Sequence, residues 1–249
     1  LVRFAIDSGH ADVACALLAE GPIPSSQEQY NLLFYAARSE HSSVVECAVQ
    51  SGYCTEEERF KIGLTVKNRE LVKRALQQGV SINYQETMCA LALVGDGDAL
   101  RDLLDRSESR SPKVGAETWQ FAVAGGDADT AQALIEHDVL LGANSTATFR
   151  PLHFAASQGS IEIVRLLLDA GVGVDRVDND GLTPIYSAAR GGHLEVVQLL
   201  IDRGANVSHA ARHGSPLMAA VGGGNIETVR LMVNSGADVN AKSSWRETT

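Results

Sequence analysis

Few residues in this sequence stand at spacings that do chemistry. His209 and His213 are four apart, the spacing at which two imidazoles share a metal ion from one helix face. They fall in a turn, with no cysteine or further histidine nearby, so no ligand set forms. Gly95-Asp96-Gly97-Asp98-Ala99-Leu100 matches part of a loop that cradles phosphate on backbone N–H groups. It lacks the third glycine and follows a helical pattern rather than a strand. Asp175 to Gly181 carries the carboxylates of a calcium loop at the wrong spacing, without the glutamate at the twelfth position. Cys15, Cys47, Cys54 and Cys89 show no metal or redox spacing. Four thiols in a chain this long are expected to be reduced, in a reducing compartment. Asn144-Ser145-Thr146 and Asn206-Val207-Ser208 are sequons, which matter only in a secreted chain. Signatures of serine hydrolases, zinc proteases and kinases are missing from the sequence. The expectation is a chain that is no enzyme and uses no cofactor and no metal.

The elements that carry these residues are legible in the stretch from Asp178 to Ser208. Asn179-Asp180-Gly181 is a turn, because glycine and asparagine tolerate positive φ and aspartate bonds nearby backbone. Thr183 is placed to cap a helix and Pro184 to open it. The small residues Ala188 and Ala189 let another helix come close, and Gly191-Gly192 ends the segment. A second helix runs from about Leu194 to Asp202, with Val196, Val197, Leu199, Leu200 and Ile201 apolar and Gly204 closing it. Such a unit cannot bury its own apolar face and needs copies on either side.

The copies are present. Pro151, Pro184 and Pro216 are 33 and 32 apart, and Gly159, Gly192 and Gly224 each follow their proline by eight. Gly171, Gly204 and Gly236 follow those glycines by twelve. A period near 33, built from a turn and two helices, marks a stacked array. With Arg150-Pro151-Leu152-His153-Phe154-Ala155-Ala156, Gly181 to Ala189 and Gly236-Ala237-Asp238-Val239-Asn240, the chain resembles the ankyrin-repeat family. The match is densest over 140–249. The resemblance implies an all-α fold: an ankyrin-type solenoid of about eight stacked helix-turn-helix repeats with short turn fingers. It also implies that His153 hydrogen-bonds between repeats and that His10 and His193, each after a glycine, are structural.

The period continues upstream in worn form. Gly9 and Gly21, again twelve apart, bracket a second helix with Leu17 and Leu18. Proline-equivalent positions fall at 1, 32, 59, 87, 118, 151, 184 and 216, giving eight helix pairs in one array over 1–249. Residues 1–139 are the divergent part, and the whole is expected to be a piece of a longer chain. Only seven residues separate Gly52 from Arg59, and Val80 to Glu86 is also short, so those junctions leave no room for fingers. Thr55 with Glu58 forms a capping box. Gly21 to Ser26 and Ser107 to Pro112 read as linkers. Near-consensus repeats from Pro151 onward should be the most stable, and 1–52 should fray first.

The sequence holds 249 residues and a formal net charge of −10, which argues against nucleic acid or anionic membranes as partners. A run of 18 apolar residues does not occur, so no spanning helix is expected. The resemblance implies a cytoplasmic or nuclear module, monomeric as an isolated array, that binds a protein partner in the concave groove lined by fingers and first helices. By register, the groove positions include Phe149, Ser157, Gln158, Asn179, Asp180, Leu182, Arg190 and Arg212. Phe149 and Leu182 share one finger position in adjacent repeats with Arg190 beside them, the mixture that hot spots favour. The alternatives are a structural spacer or regulatory arm, which a uniformly polar groove would favour, and an enzyme or small-ligand site in a closed pocket.

Overall fold

The computed structural model describes residues 1–20, 26–38, 42–52, 54–105, 112–137, 150–211 and 213–241. Among them the fold is all-helical, with sixteen helices and no strand beyond an isolated bridge between Ala211 and Gly214. None of these helices is long and apolar enough to cross a membrane. The chain divides into two compact units, Leu1–Val94 and Gly95–Thr249.

The first unit holds α1 (Val2–Asp7), α2 (Ala11–Glu20), α3 (Ser26–Arg38), α4 (Ser42–Gln50), α5 (Glu56–Thr65), α6 (Arg69–Gln77) and α7 (Tyr84–Val94). The second holds α8 (Gly97–Asp105), α9 (Pro112–Gly125), α10 (Ala128–Glu136), α11 (Pro151–Gln158), α12 (Ile161–Asp169), α13 (Pro184–Gly191), α14 (Leu194–Asp202), α15 (Pro216–Gly223) and α16 (Ile226–Asn234). Within each unit, like helices stack on like. In the first, α3 packs between α1 and α5, and α2 packs on α4. In the second, α9, α11, α13 and α15 form one row, and α8, α10, α12, α14 and α16 the other.

Side-chain burial fits the register. One residue after seven of the eight proline-equivalent positions stands a buried apolar anchor, Leu33, Phe60, Met88, Trp119, Leu152, Ile185 or Leu217, while Val2 after the first is half-buried. Each buried anchor is worth about 1.5–3 kcal/mol of burial. Three residues further on stand small buried side chains, Ala5, Ala36, Gly63, Ala122, Ala155, Ala188 and Ala220, with half-buried Leu91 the exception. Small residues there let packed helices approach closely. At Gly63 an added Cβ would lie 2.9 Å from the Leu71 Cβ. At Gly97 it would lie 2.8 Å from the Asp129 Cβ, so that glycine serves the packing of α8 on α10 rather than a phosphate.

Several boundaries differ from the sequence expectation. The connection Val80 to Glu86 is shorter than it reads, because α7 starts at Tyr84. Asn83 and Glu86 form a second capping box: the Glu86 N–H donates to Asn83 Oδ1 at 2.9 Å, and the Asn83 N–H to Glu86 Oε2 at 3.1 Å. Helix α9 opens at Pro112, not near Thr118. The Thr55–Glu58 box is present as read. Thr183 takes N-cap backbone angles but makes no capping hydrogen bond, and its hydroxyl is buried without a partner. Ser215, its counterpart one repeat on, accepts from the Met218 N–H at 3.3 Å. The linker 21–25, residues 106–111 and Asp138 lie outside the described residues.

The thiols also differ from expectation. Cys15 on α2 and Cys47 on α4 form a disulfide with a Cα–Cα distance of 5.5 Å and a separation of 32 residues. That separation is one repeat, and stacking puts the two second helices side by side. Cys54 and Cys89 are buried and take no part in that disulfide. Burial, with Glu58 adding to it, pushes the Cys54 thiol up to about 12.

Candidate concave face of the second unit

The finger before α13 is built around one carboxylate. Asp178 Oδ1 accepts from the backbone N–H groups of Asp180 and Leu182, both at 2.9 Å. The Asp178 N–H donates to the Leu182 carbonyl at 2.9 Å, and Gly181 N–H to the Asp178 carbonyl at 3.2 Å. A charge-assisted acceptor for two N–H groups fixes the turn and holds Asn179 and Asp180 out in solvent. Two of the carboxylates that looked like calcium ligands, Asp175 and Asp178, therefore accept from backbone N–H groups instead. Asp175 Oδ1 accepts from the Asn206 N–H at 2.9 Å, tying this finger to the next.

Histidines and an asparagine carry the ties onward. His153 Nε2 donates to the Leu182 carbonyl, and His209 Nε2 to the Gly181 carbonyl, each at 2.9 Å. Both clasp the same finger, one from each side in sequence. His209 thus spends a ring nitrogen on backbone instead of metal. Among the described residues, no group of three or more His, Cys, Asp or Glu is placed to hold a metal ion. His193 Nε2 donates to the Ser157 carbonyl at 2.9 Å. Its ring fills a slot that only glycine leaves open: an added Cβ at Gly159 or at Gly191 would lie 2.5 Å from it. Asn225, the counterpart of His193, donates from Nδ2 to the Gly192 carbonyl at 3.1 Å. The closing glycine of one repeat, Gly159 or Gly192, thus lies against the polar residue that opens the next second helix, His193 or Asn225.

Protonation of His153 is disfavoured in the folded chain. Burial holds its pKa below the ordinary 6.5, against the opposing pull of the Leu182 carbonyl and Asp178. Its Nδ1 is buried without a hydrogen-bond partner, so protonation would place a charged donor there. A histidine with a lowered folded pKa binds protons more readily when unfolded, so its contribution is full above about 6.5 and is lost as pH falls. The thermal midpoint should drop between about pH 7 and pH 5, and His153→Gln should lessen that drop. An unchanged slope in the variant would contradict the assignment.

The expected groove residues occupy this region as follows. Ser157 is half-buried, with its Oγ donating to the Phe154 carbonyl at 2.8 Å. Gln158 is exposed and its Nε2 lies 3.5 Å from Ser157 Oγ. Asn179, Asp180 and Leu182 belong to the Asp178 turn, with Leu182 half-buried. Arg190 is exposed in the last turn of α13. Its carbonyl oxygen would lie 2.5 Å from a Cβ added at Gly223, so the α13 and α15 ends run close together. Phe149 and Arg212 lie outside the described residues. The next finger closes on itself, the Ala211 N–H donating to the Gly214 carbonyl at 3.2 Å and the reverse bond at 3.0 Å.

A second surface lies on the row of second helices. There α12, α14 and α16 frame an open groove of about 630 Å³, with Ile161, Leu194, Leu199 and Leu231 among its lining. Arg165, Glu195, Asp202, Glu227 and Arg230 line it as well. From sequence Asp175 and Asp178 were weighed only as calcium ligands, and Asn225 was not singled out. The usable signal was register: Asn225 follows its glycine as His193 does, and Asp178 opens the turn.

The family model for ankyrin repeats (3 copies) matches residues 87–178, 119–211 and 152–243. No curated protein matches the chain.

Proposed function

The chain belongs to the ankyrin-repeat family, and on that premise we propose that it is a non-catalytic module that binds a protein partner along its fingers and first helices. Ankyrin repeats generally mediate protein–protein interaction. The observation that carries the reading is the Asp178 turn: rigid backbone, clasped by His153 and His209, presenting exposed Asn179 and Asp180. Contact residues held on a rigid scaffold lose little entropy on binding. In this reading Leu182 and Arg190 supply the apolar and cationic anchors, and Phe149 joins them by register. Ser157, Gln158 and Arg212 form the rim. A cytoplasmic or nuclear location goes with it.

The test is a binding titration. After a partner is isolated on the wild-type protein, its Kd is measured against Phe149→Ala/Leu182→Ala/Arg190→Ala. A hot spot predicts a loss of at least about 2 kcal/mol, roughly thirtyfold in Kd. Equal affinity with an unaltered circular dichroism spectrum would move the spacer reading ahead.

A further inference from the structure

We propose that Cys15 and Cys47 are a reversible redox site, exchanging with small-molecule disulfides and thereby clamping or releasing the α1–α2 pair. The pair is accessible: both residues are half-buried, whereas Cys54 and Cys89 are buried. Cys54 is further shielded by its low thiolate content, since burial and Glu58 hold its pKa near 12. A small reagent therefore meets the pair first.

The clamp joins α2 to α4. Helices α1 and α2 pack on each other and on α3 and α4. Leu1, Phe4 and Val13 on this pair are 93, 73 and 51 % exposed. The polar ties to α3 are exposed: the Tyr35 hydroxyl donates to Asp7, and Arg3 lies 5.0 Å over the Tyr35 ring. A cross-link between α2 and α4 resists their loss by shortening the open chain. Release would uncover Ala5, Ile6, Ala14 and Leu18, now packed in one core with Leu33, Ala37 and Val44.

The chemistry balances with one co-reactant, a low-molecular-weight disulfide RSSR. One protein thiolate attacks a sulfur of RSSR, forming a mixed disulfide and expelling RS⁻. The second protein thiolate then attacks the protein sulfur of that mixed disulfide and expels the other RS⁻. The two thiol protons end on the two RS⁻ groups, giving two RSH. Two protein thiols lose two electrons and RSSR gains them. Excess RSH reverses both steps.

The test uses the 249-residue chain with oxidised glutathione or dithiothreitol, read by mass spectrometry and hydrogen exchange. Oxidised glutathione should link Cys15 to Cys47 and leave Cys54 and Cys89 as thiols. Reduction should speed exchange over 2–20 roughly five-hundredfold, the scale of closing a loop of this length, and leave 151–241 unchanged. Cys15→Ser should exchange fast in both conditions, and Cys54→Ser should follow the wild type. Failure of the link to form overturns the proposal. So does exchange over 2–20 that ignores reduction, or a change spread equally over 151–241.

Discussion

Arg59→Met is expected to destabilise the first unit by about 3–5 kcal/mol, the usual cost of stranding a buried charge. Arg59 stands where consensus repeats carry proline, and its side chain is only 5 % exposed. Its guanidinium donates to Glu46 Oε2 on α4 at 2.6 Å and pairs with Glu56 in its own helix. Glu46 is 15 % exposed, and its other ion-pair partner is Arg74, farther off at 3.6 Å. Arg74 is half-exposed and shared with Glu70 at 2.9 Å, so it cannot replace Arg59. Methionine keeps the apolar stem but leaves Glu46 almost alone in a poorly solvated site. The double variant Arg59→Met/Glu46→Leu removes both charges and should recover most of the loss, because a buried pair is often worth little more than its apolar replacement. Urea unfolding followed by circular dichroism reads both. A single variant costing under about 1 kcal/mol would show that the network is not what holds α4 to α5.

Trp119→Ala should cost about as much, 3–5 kcal/mol, by a different route. Trp119 is the largest fully buried side chain in the structure. It holds on α9 the anchor place that Leu152 holds on α11 and Ile185 on α13. Alanine there loses the transfer energy of an indole and opens a cavity that stacked helices cannot close by local collapse. Trp119→Phe refills much of the space and should cost clearly less. Chemical denaturation of the two variants gives the comparison, and equal losses would mean that volume at this position is not what matters.

Periodicity made the first helices readable. The anchor and small-residue places recur because every repeat meets its neighbours through the same face, so Leu152 and Ile185 predict Phe60 and Trp119 even where glycines and prolines have drifted. Helix starts were less legible upstream. Where no finger intervenes, backbone is free to continue the helix, and only the caps mark where it begins. Asn83 with Glu86 is such a cap, in residues easily taken for a connector. The Cys15–Cys47 bond was missed because ligand and redox motifs are sought at short spacing. Stacking instead brings together residues one repeat apart, and a separation of 32 was the available signal. The candidate finger site was legible as positions only: register names Leu182 and Arg190, but the carboxylate that shapes the finger, Asp178, shows its role only through the two N–H groups it accepts from.

The central claim, that a protein partner lies along the fingers and first helices, is tested most directly by hydrogen-exchange footprinting of the partner complex. The prediction is slowed exchange over 178–191 and 213–224, with the ends of α12, α14 and α16 unchanged. Slowing confined to the second-helix groove around Ile161, Leu194 and Leu231, with the Asp178 finger exchanging as in the free protein, would contradict it.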